Sequence, residues 1–270
     1  MSDTDTYMQR LLVTDPLSKP VVLSAIQALK IPQGSRGLDI GCGIGTHAMM
    51  MAEVVGSTGH VTGIDIEPEF LAYAKRVAEK TGLSETVSFQ EGNMNKLPFN
   101  DKTFDWAWSV NLVGYHPADP LPPLREMVRV VKPGGTIALL LYSSQMLLPG
   151  YPLLEAKLNA TSSGIAPFTS KIRPEFHSLR ALRWFREVGL GDTKAQTFVG
   201  SIQAPMSDDI RNALTALIQM RWVDVQTELS EEDWIEYQRL CRPESPDYIL
   251  NYPDYYGFFT YSLFCGQVSK

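Results

Sequence analysis

Two hydrophobic periodicities alternate along this chain. From Arg36 to about Tyr142, short runs rich in β-branched and aromatic residues are separated by stretches of helical length with amphipathic spacing. The short runs are 37–40, 60–65, 87–91, 104–109 and 136–142, and the helical spacing predicts helices over 46–55, 68–80 and 120–131. Strand-then-helix alternation of this kind is the pattern of βαβ units, so the chain reads as α/β with a parallel sheet. The third helix is signposted at both ends: Asp119 is placed to cap it, Pro120 suits its first turn, and Lys132-Pro133-Gly134-Gly135 stops it before a strand.

Outside this stretch the pattern changes. Residues 19–29 predict an amphipathic helix leading into the first strand. Residues 143–170 are rich in Ser, Gly, Pro and Leu and read as an insertion with one short helix at 153–160. A helix over 174–188 stops at Gly189, a strand follows near 194–202, two helices follow at 206–229 and 231–240, and 258–268 returns to strand composition.

Composition narrows the class. The 270 residues are 44% hydrophobic and 20% charged, which suits a globular protein. The longest clean apolar run, 137–141, falls far below the roughly 20 residues of a membrane span, and the polar N-terminus lacks a secretion signal. Cys42, Cys241 and Cys265 are odd in number and widely spaced, which predicts reduced thiols in a cytoplasmic protein. The net charge of −6 argues against a nucleic-acid partner. The excess is concentrated: Pro205 to Tyr256 holds eleven Asp/Glu against four Lys/Arg. No metal-ligand spacing is evident, so catalysis is expected to need no metal.

Chemistry concentrates in Leu38-Asp39-Ile40-Gly41-Cys42-Gly43-Ile44-Gly45-Thr46, an apolar strand turning into a helix. Glycines let the backbone turn sharply and approach a ligand, and the helix N-terminus favours a carboxylate or phosphate. A dinucleotide fingerprint needs its third glycine at position 46, which is Thr46. Asp39 would repel a pyrophosphate but suits a ligand carrying an ammonium group. Asp65 ends the second strand, where an acid accepts hydrogen bonds from ribose hydroxyls of either a dinucleotide or another adenosine ligand. After the third strand, Asn93 is placed to read an adenine edge, with Met94 covering the ring.

The series LDIGCGIG, GIDI, EGNMNKLPF, FDWAWS and RVVKPGG, in this order and spacing, resembles class I S-adenosylmethionine (SAM)-dependent methyltransferases, and among them the ubiquinone/menaquinone-type enzymes and their small-molecule relatives. The resemblance is strong over about residues 18–142 and weak beyond. It implies a Rossmann-like, seven-stranded, mostly parallel sheet with an antiparallel last strand, to which the aromatic-rich tail adds a helical insertion expected to act as a lid. On this reading 1–204 and 257–270 form the SAM-binding domain, 143–173 a loop insertion and 205–256 the helical lid.

It also implies roles. Asp39, Gly41, Gly43 and Gly45 would hold the methionine part, Asp65 the ribose, and Ile66 and Met94 the adenine faces, with Thr46 also in the cofactor site. Asn93 stands where the family has Asp, reading the adenine amino group. Ser109 would lie near the methionine end. Asn111 either touches cofactor or substrate or serves a turn. His116 is a general base, a substrate contact, or a loop histidine bonded to backbone, and Tyr115 beside it is similar.

Arg180, Arg183 and Arg186 attract an acidic substrate or form a solvated helix face. Trp222, Trp234, Tyr237, Tyr248, Tyr252, Tyr255 and Tyr256 line a pocket for an apolar or aromatic small molecule, pack the insert, or serve a homodimer contact. Two alternatives to a methyltransferase stand: a non-catalytic SAM-binding module and an NAD(P)-dependent oxidoreductase.

Overall fold

The computed structural model describes residues 3–115, 118–167 and 173–270. In chain order the elements are α1 (Asp3–Leu29), β1 (Arg36–Ile40), α2 (Thr46–Val55), β2 (His60–Asp65), α3 (Pro68–Thr81), β3 (Val87–Glu91), β4 (Phe104–Val110), α4 (Leu121–Val130), β5 (Val131–Met146), α5 (Pro152–Ala160), α6 (Ala181–Glu187), β6 (Leu190–Gln203), α7 (Asp208–Arg221), α8 (Glu231–Cys241) and β7 (Tyr256–Val268). The strands form one sheet in the order β3-β2-β1-β4-β5-β7-β6, with β1–β5 joined by parallel pairings and the last strand antiparallel.

Three helices differ from their sequence signals. α1 begins sixteen residues before Lys19, with Pro16 and Pro20 inside it. Leu17, Val21, Val22, Ala25 and Ile26 are buried at helical spacing across Pro20, and burial of that face outweighs the ~3 kcal/mol an internal proline costs. The helix expected over 174–188 is broken. His177 is extended (ψ 132°), its side chain accepts from the Leu179 N–H, and two 3-10 turns precede α6. The helix expected over 206–229 ends at Arg221, and Asp224 at φ +56° begins a 3-10 turn over Val225–Glu228. The stop signal after α4 acts one residue early: Val131 closes the helix and already belongs to β5. Asp119 does accept the Leu121 N–H at 2.9 Å.

The chain divides into two compact units. The first comprises Met1–Val21, Ser143–Lys171 and Val199–Tyr261; the second comprises Val22–Tyr142, Ile172–Phe198 and Ser262–Lys270. β5, β6 and β7 each begin in one unit and end in the other.

In the second unit, alternation along the strands sorts side chains to two faces. Leu38, Ile40, Ala107, Ile137, Leu139 and Leu141 join a core with Leu124, Met127 and Val130 of α4 and Ala181, Trp184 and Phe185 of α6. The intervening positions, Gly37 and Asp39 on β1 with Trp106 and Trp108 in register on β4, take the other face. Gly37 must lack a side chain there, since a Cβ would collide with the Trp106 ring.

The first unit has its own core. Trp222, Tyr237, Tyr248 and Tyr255 are all at most 2% exposed. Each buried polar tip is satisfied: Trp222 Nε1 donates to Asn159 Oδ1, Tyr237 Oη to the Trp222 carbonyl and Tyr255 Oη to the Leu147 carbonyl, while Tyr248 Oη pairs with Thr215. Glu155 is buried without a cation, its two oxygens accepting the N–H groups of Leu147 and Leu148 at 2.7 and 2.9 Å. Burial pushes its carboxyl above the usual range. No helix among the described residues is long and apolar enough to cross a membrane.

Candidate active site

The turn after β1 is built by three left-handed glycines, with φ of +72° at Gly41, +50° at Gly43 and +81° at Gly45. A side chain at these angles strains the backbone. The turn is tied to β2: the N–H groups of Gly41 and Cys42 both donate to the Ile64 carbonyl, at 2.8 and 2.9 Å. Gly45 precedes α2 and serves packing as well, since a Cβ there would stand 2.7 Å from Ala74 Cβ and from Phe89 Cζ. Thr46 opens α2 and is half-buried.

Two carboxylates flank the turn. Asp65 accepts the Gly43 N–H on Oδ2 at 2.8 Å and the Glu67 N–H on Oδ1 at 3.1 Å. Each oxygen keeps a further lone pair. Asp39 is 1% exposed and its Oδ2 has no hydrogen-bond partner among the described residues. Burial, and then the neighbouring Asp65 charge, push its carboxyl up to about 8. In register with Asp39, Trp108 is fully buried with Nε1 also unpartnered among the described residues. A buried carboxyl oxygen without a donor costs on the order of 1–3 kcal/mol, so this position is suited to receive a cation.

The remaining sequence candidates sort into distinct places. Ile66, directly after β2, is 62% exposed, an unusual setting for isoleucine. Gly92 donates its N–H to the Asp65 carbonyl at 3.0 Å, which holds the segment after β3 beside the end of β2. There Asn93 is exposed, with Oδ1 accepting the Asn95 N–H at 2.8 Å, so its amide nitrogen is the outer end. Met94 packs partly buried on the core.

Ser109 differs from expectation: it is fully buried, its hydroxyl donates to the Ile40 carbonyl at 2.9 Å and accepts the Val113 N–H at 3.4 Å. It ties β1 to the segment after β4 and has no surface to offer a ligand. Asn111 takes the turn role, at φ +47° with Oδ1 accepting the Tyr142 N–H at 2.8 Å. His116 lies outside the described residues. Arg183 and Arg186 are exposed, and Arg183 pairs with Glu187 at 2.6 Å, as a solvated helix face does.

Three residues here carried no sequence signal of their own. Leu112 lies on the turn, where a Cβ at Gly41 would collide with its Cδ2. Trp108 was visible only as an apolar strand position. His47, second in α2, is held neutral, burial bringing its pKa down to about 4, and it makes no hydrogen bond among the described residues. A histidine directly after the glycine-rich run is the signal that could have found it.

A profile of the methyltransferase domain family matches residues 31–187, more than half the chain. The chain belongs to this family. As a member of it, the chain is a SAM-dependent methyltransferase, and SAM is its cofactor. The family assignment decides against the oxidoreductase alternative.

Among its relatives, this methyltransferase is 30% identical to the demethylmenaquinone methyltransferase of Bacillus licheniformis, over 66% of this chain and 80% of that one. It is 32% identical to the demethylmenaquinone methyltransferase of Staphylococcus aureus strain JH9, over 64% of this chain and 75% of that one. A SAM-dependent methyltransferase from Aquifex aeolicus shares the fold, with a TM-score of 0.51 at 23% identity, covering 73% of this chain and 91% of that one.

Proposed function

We propose that this methyltransferase binds SAM with Asp39 facing the ammonium group, and methylates a small, apolar, ring-bearing acceptor. The observation that carries the cofactor part is the buried Oδ2 of Asp39, without a hydrogen-bond partner among the described residues, beside three left-handed glycines. A carboxyl raised to about 8 by burial gains most from a cation brought against it. Pyrophosphate would bring two negative charges beside the Asp65 carboxylate and give Asp39 no cation to pair with.

In this reading Gly41, Gly43, Gly45 and Thr46 form the floor under the methionine part. Asp65 accepts the ribose hydroxyls on the lone pairs its two backbone bonds leave. Ile66 and Met94 take the two adenine faces, which gives the exposed Ile66 ring-sized apolar cover. Asn93 reads the adenine edge, while Ser109 and Asn111 support the wall from behind.

SAM, when bound, supplies an electrophilic sulfonium methyl. The chain's task is then alignment of the acceptor atom in line with the departing sulfur, and exclusion of water. An oxygen or carbon nucleophile of a hydroxylated ring needs its proton removed. His116, one residue past the described segment after β4, is the base proposed for this. The acceptor class rests on the two demethylmenaquinone methyltransferase relatives. The four buried aromatics of the first unit are committed to packing and do not argue for it.

The test is calorimetric titration with S-adenosylhomocysteine, followed by a methyl-transfer assay on demethylated naphthoquinols. Binding without turnover on any ring acceptor would favour the non-catalytic module, and absence of binding would end the cofactor reading.

A further inference from the structure

The segment between β4 and the proposed base is held from behind by a residue of α6, 143 positions along the chain from Gly41. Trp184 is 2% exposed and its ring is fixed by Nε1 donating to the Glu175 carbonyl at 2.7 Å. Its Cζ3 occupies the place where a Cβ at residue 114 would stand, and Gly114 lies at φ +78°. The segment is a single tight turn, closed by the Tyr115 N–H donating to the Leu112 carbonyl at 3.0 Å. Val113 within it is fully buried in the same core as Trp184 and donates its N–H to the Ser109 hydroxyl. Leu112, at the front of the turn, rests on Gly41.

We propose that Trp184 is a positioning residue: through Gly114 and Leu112 it sets how closely the turn after β4 lies over the glycine turn, and so fixes the gap in which the cofactor's methionine part is held. The inference rests on the SAM reading of that glycine turn. A turn closed by its own hydrogen bond and pinned by a buried Val113 moves as one piece, so displacement at Gly114 reaches Leu112. A smaller side chain at 184 leaves a void behind Gly114 into which the turn relaxes, away from Gly41.

The experiment measures S-adenosylhomocysteine affinity and steady-state kinetics for the whole chain and for Trp184→Phe, Trp184→Leu, Gly114→Ala and the Trp184→Leu/Gly114→Ala double variant. Trp184→Phe keeps the bulk behind Gly114 and is expected to bind within about twofold of the parent, whereas Trp184→Leu weakens binding about fivefold or more. Gly114→Ala weakens it through both strain and collision with the ring. The decisive comparison is rescue: the double variant binds more tightly than Gly114→Ala alone, because the shorter side chain makes room for the new methyl.

Parent-like affinity in Trp184→Leu, or losses that simply add in the double variant, would overturn the inference. If Trp184→Leu does not accumulate as folded protein, Trp184→Met, which fills the space with a flexible chain, carries the same comparison alone and with Gly114→Ala. A parent chain that fails to bind S-adenosylhomocysteine overturns the cofactor reading instead. Parent binding with no dependence on residue 184 leaves that reading standing and ends this one.

Discussion

The Gly43 N–H donates to Asp65 Oδ2 at 2.8 Å, and this bond joins the glycine turn after β1 to the acid ending β2. Asp65 therefore shapes the site before any ligand arrives. With Glu67 on its other oxygen, one carboxylate orients two backbone segments. A hydrogen bond to a charged group contributes about 1.5–3 kcal/mol.

Asp65→Ala removes the proposed ribose contact and frees the turn together. We expect S-adenosylhomocysteine affinity to fall at least about tenfold, equivalent to ~1.4 kcal/mol or more. Asp65→Asn, which accepts on one oxygen only, should fall between. Calorimetric titration measures both, and unchanged affinity in Asp65→Ala would remove this residue from the site.

Asp39 gives a pH dependence with a definite sign. Its carboxyl has an ordinary value of 3.8 and sits at about 8 in the fold. The folded state therefore holds a proton that the unfolded chain loses, and this group's stabilising contribution is complete below about pH 4 and lost as pH rises through 8. An ammonium group placed against Asp39 favours the ionised form. Binding near pH 7 should then release about one proton and strengthen as pH rises toward 8. Titration in buffers of different ionisation enthalpy reads the proton directly, and Asp39→Asn should abolish the buffer dependence.

Gly45 separates packing from ligand binding within one motif. Gly45→Ala places a Cβ at φ +81° and 2.7 Å from Ala74 Cβ and Phe89 Cζ. Strain of ~1–2 kcal/mol and overpacking of ~1–3 kcal/mol should both appear as lost stability, lowering the thermal midpoint by several degrees even without ligand. A parent-like midpoint with weakened binding would instead assign Gly45 to the ligand alone.

Asn93 predicts an unusual tolerance in the nucleobase. Its Oδ1 is held by the Asn95 N–H, which leaves the amide nitrogen outward as a donor. A donor suits adenine N1 and equally the oxygen of hypoxanthine. The chain should bind S-inosylhomocysteine within about tenfold of S-adenosylhomocysteine. Asn93→Asp, an acceptor only, should widen that ratio, and competition binding of the two analogues measures it.

The relation between sequence and structure differs from place to place. β2 and β3 were legible to the residue because β2 carries β-branched Val61, Thr62 and Ile64, and β3 alternates apolar Val87 and Phe89 with polar Ser88 and Gln90. α2 was legible because three glycines and a threonine mark its start. α1 was cut short because Pro16 and Pro20 are start signals locally, while the buried face from Leu17 that carries the helix across Pro20 becomes visible only once packed. The 174–188 stretch reads as one helix because its residues are helix formers, yet His177 bonds Leu179 and breaks it.

For this protein the sequence by itself determined the fold class, the family and the order of the cofactor motifs, since each rests on residues close together in the chain. It also placed Asp39 and Asp65 beside the glycine turn. Tertiary structure decided what those residues do once surrounded. It buried Ser109 against the Ile40 carbonyl, gave Asn111 to a turn, committed four tail aromatics to a core, and left Asp39 Oδ2 without a donor among the described residues. It also packed Trp184 against Gly114 and Leu112 against Gly41. Hydrogen-bond satisfaction and van der Waals contact are properties of groups distant in sequence, and no local pattern records them.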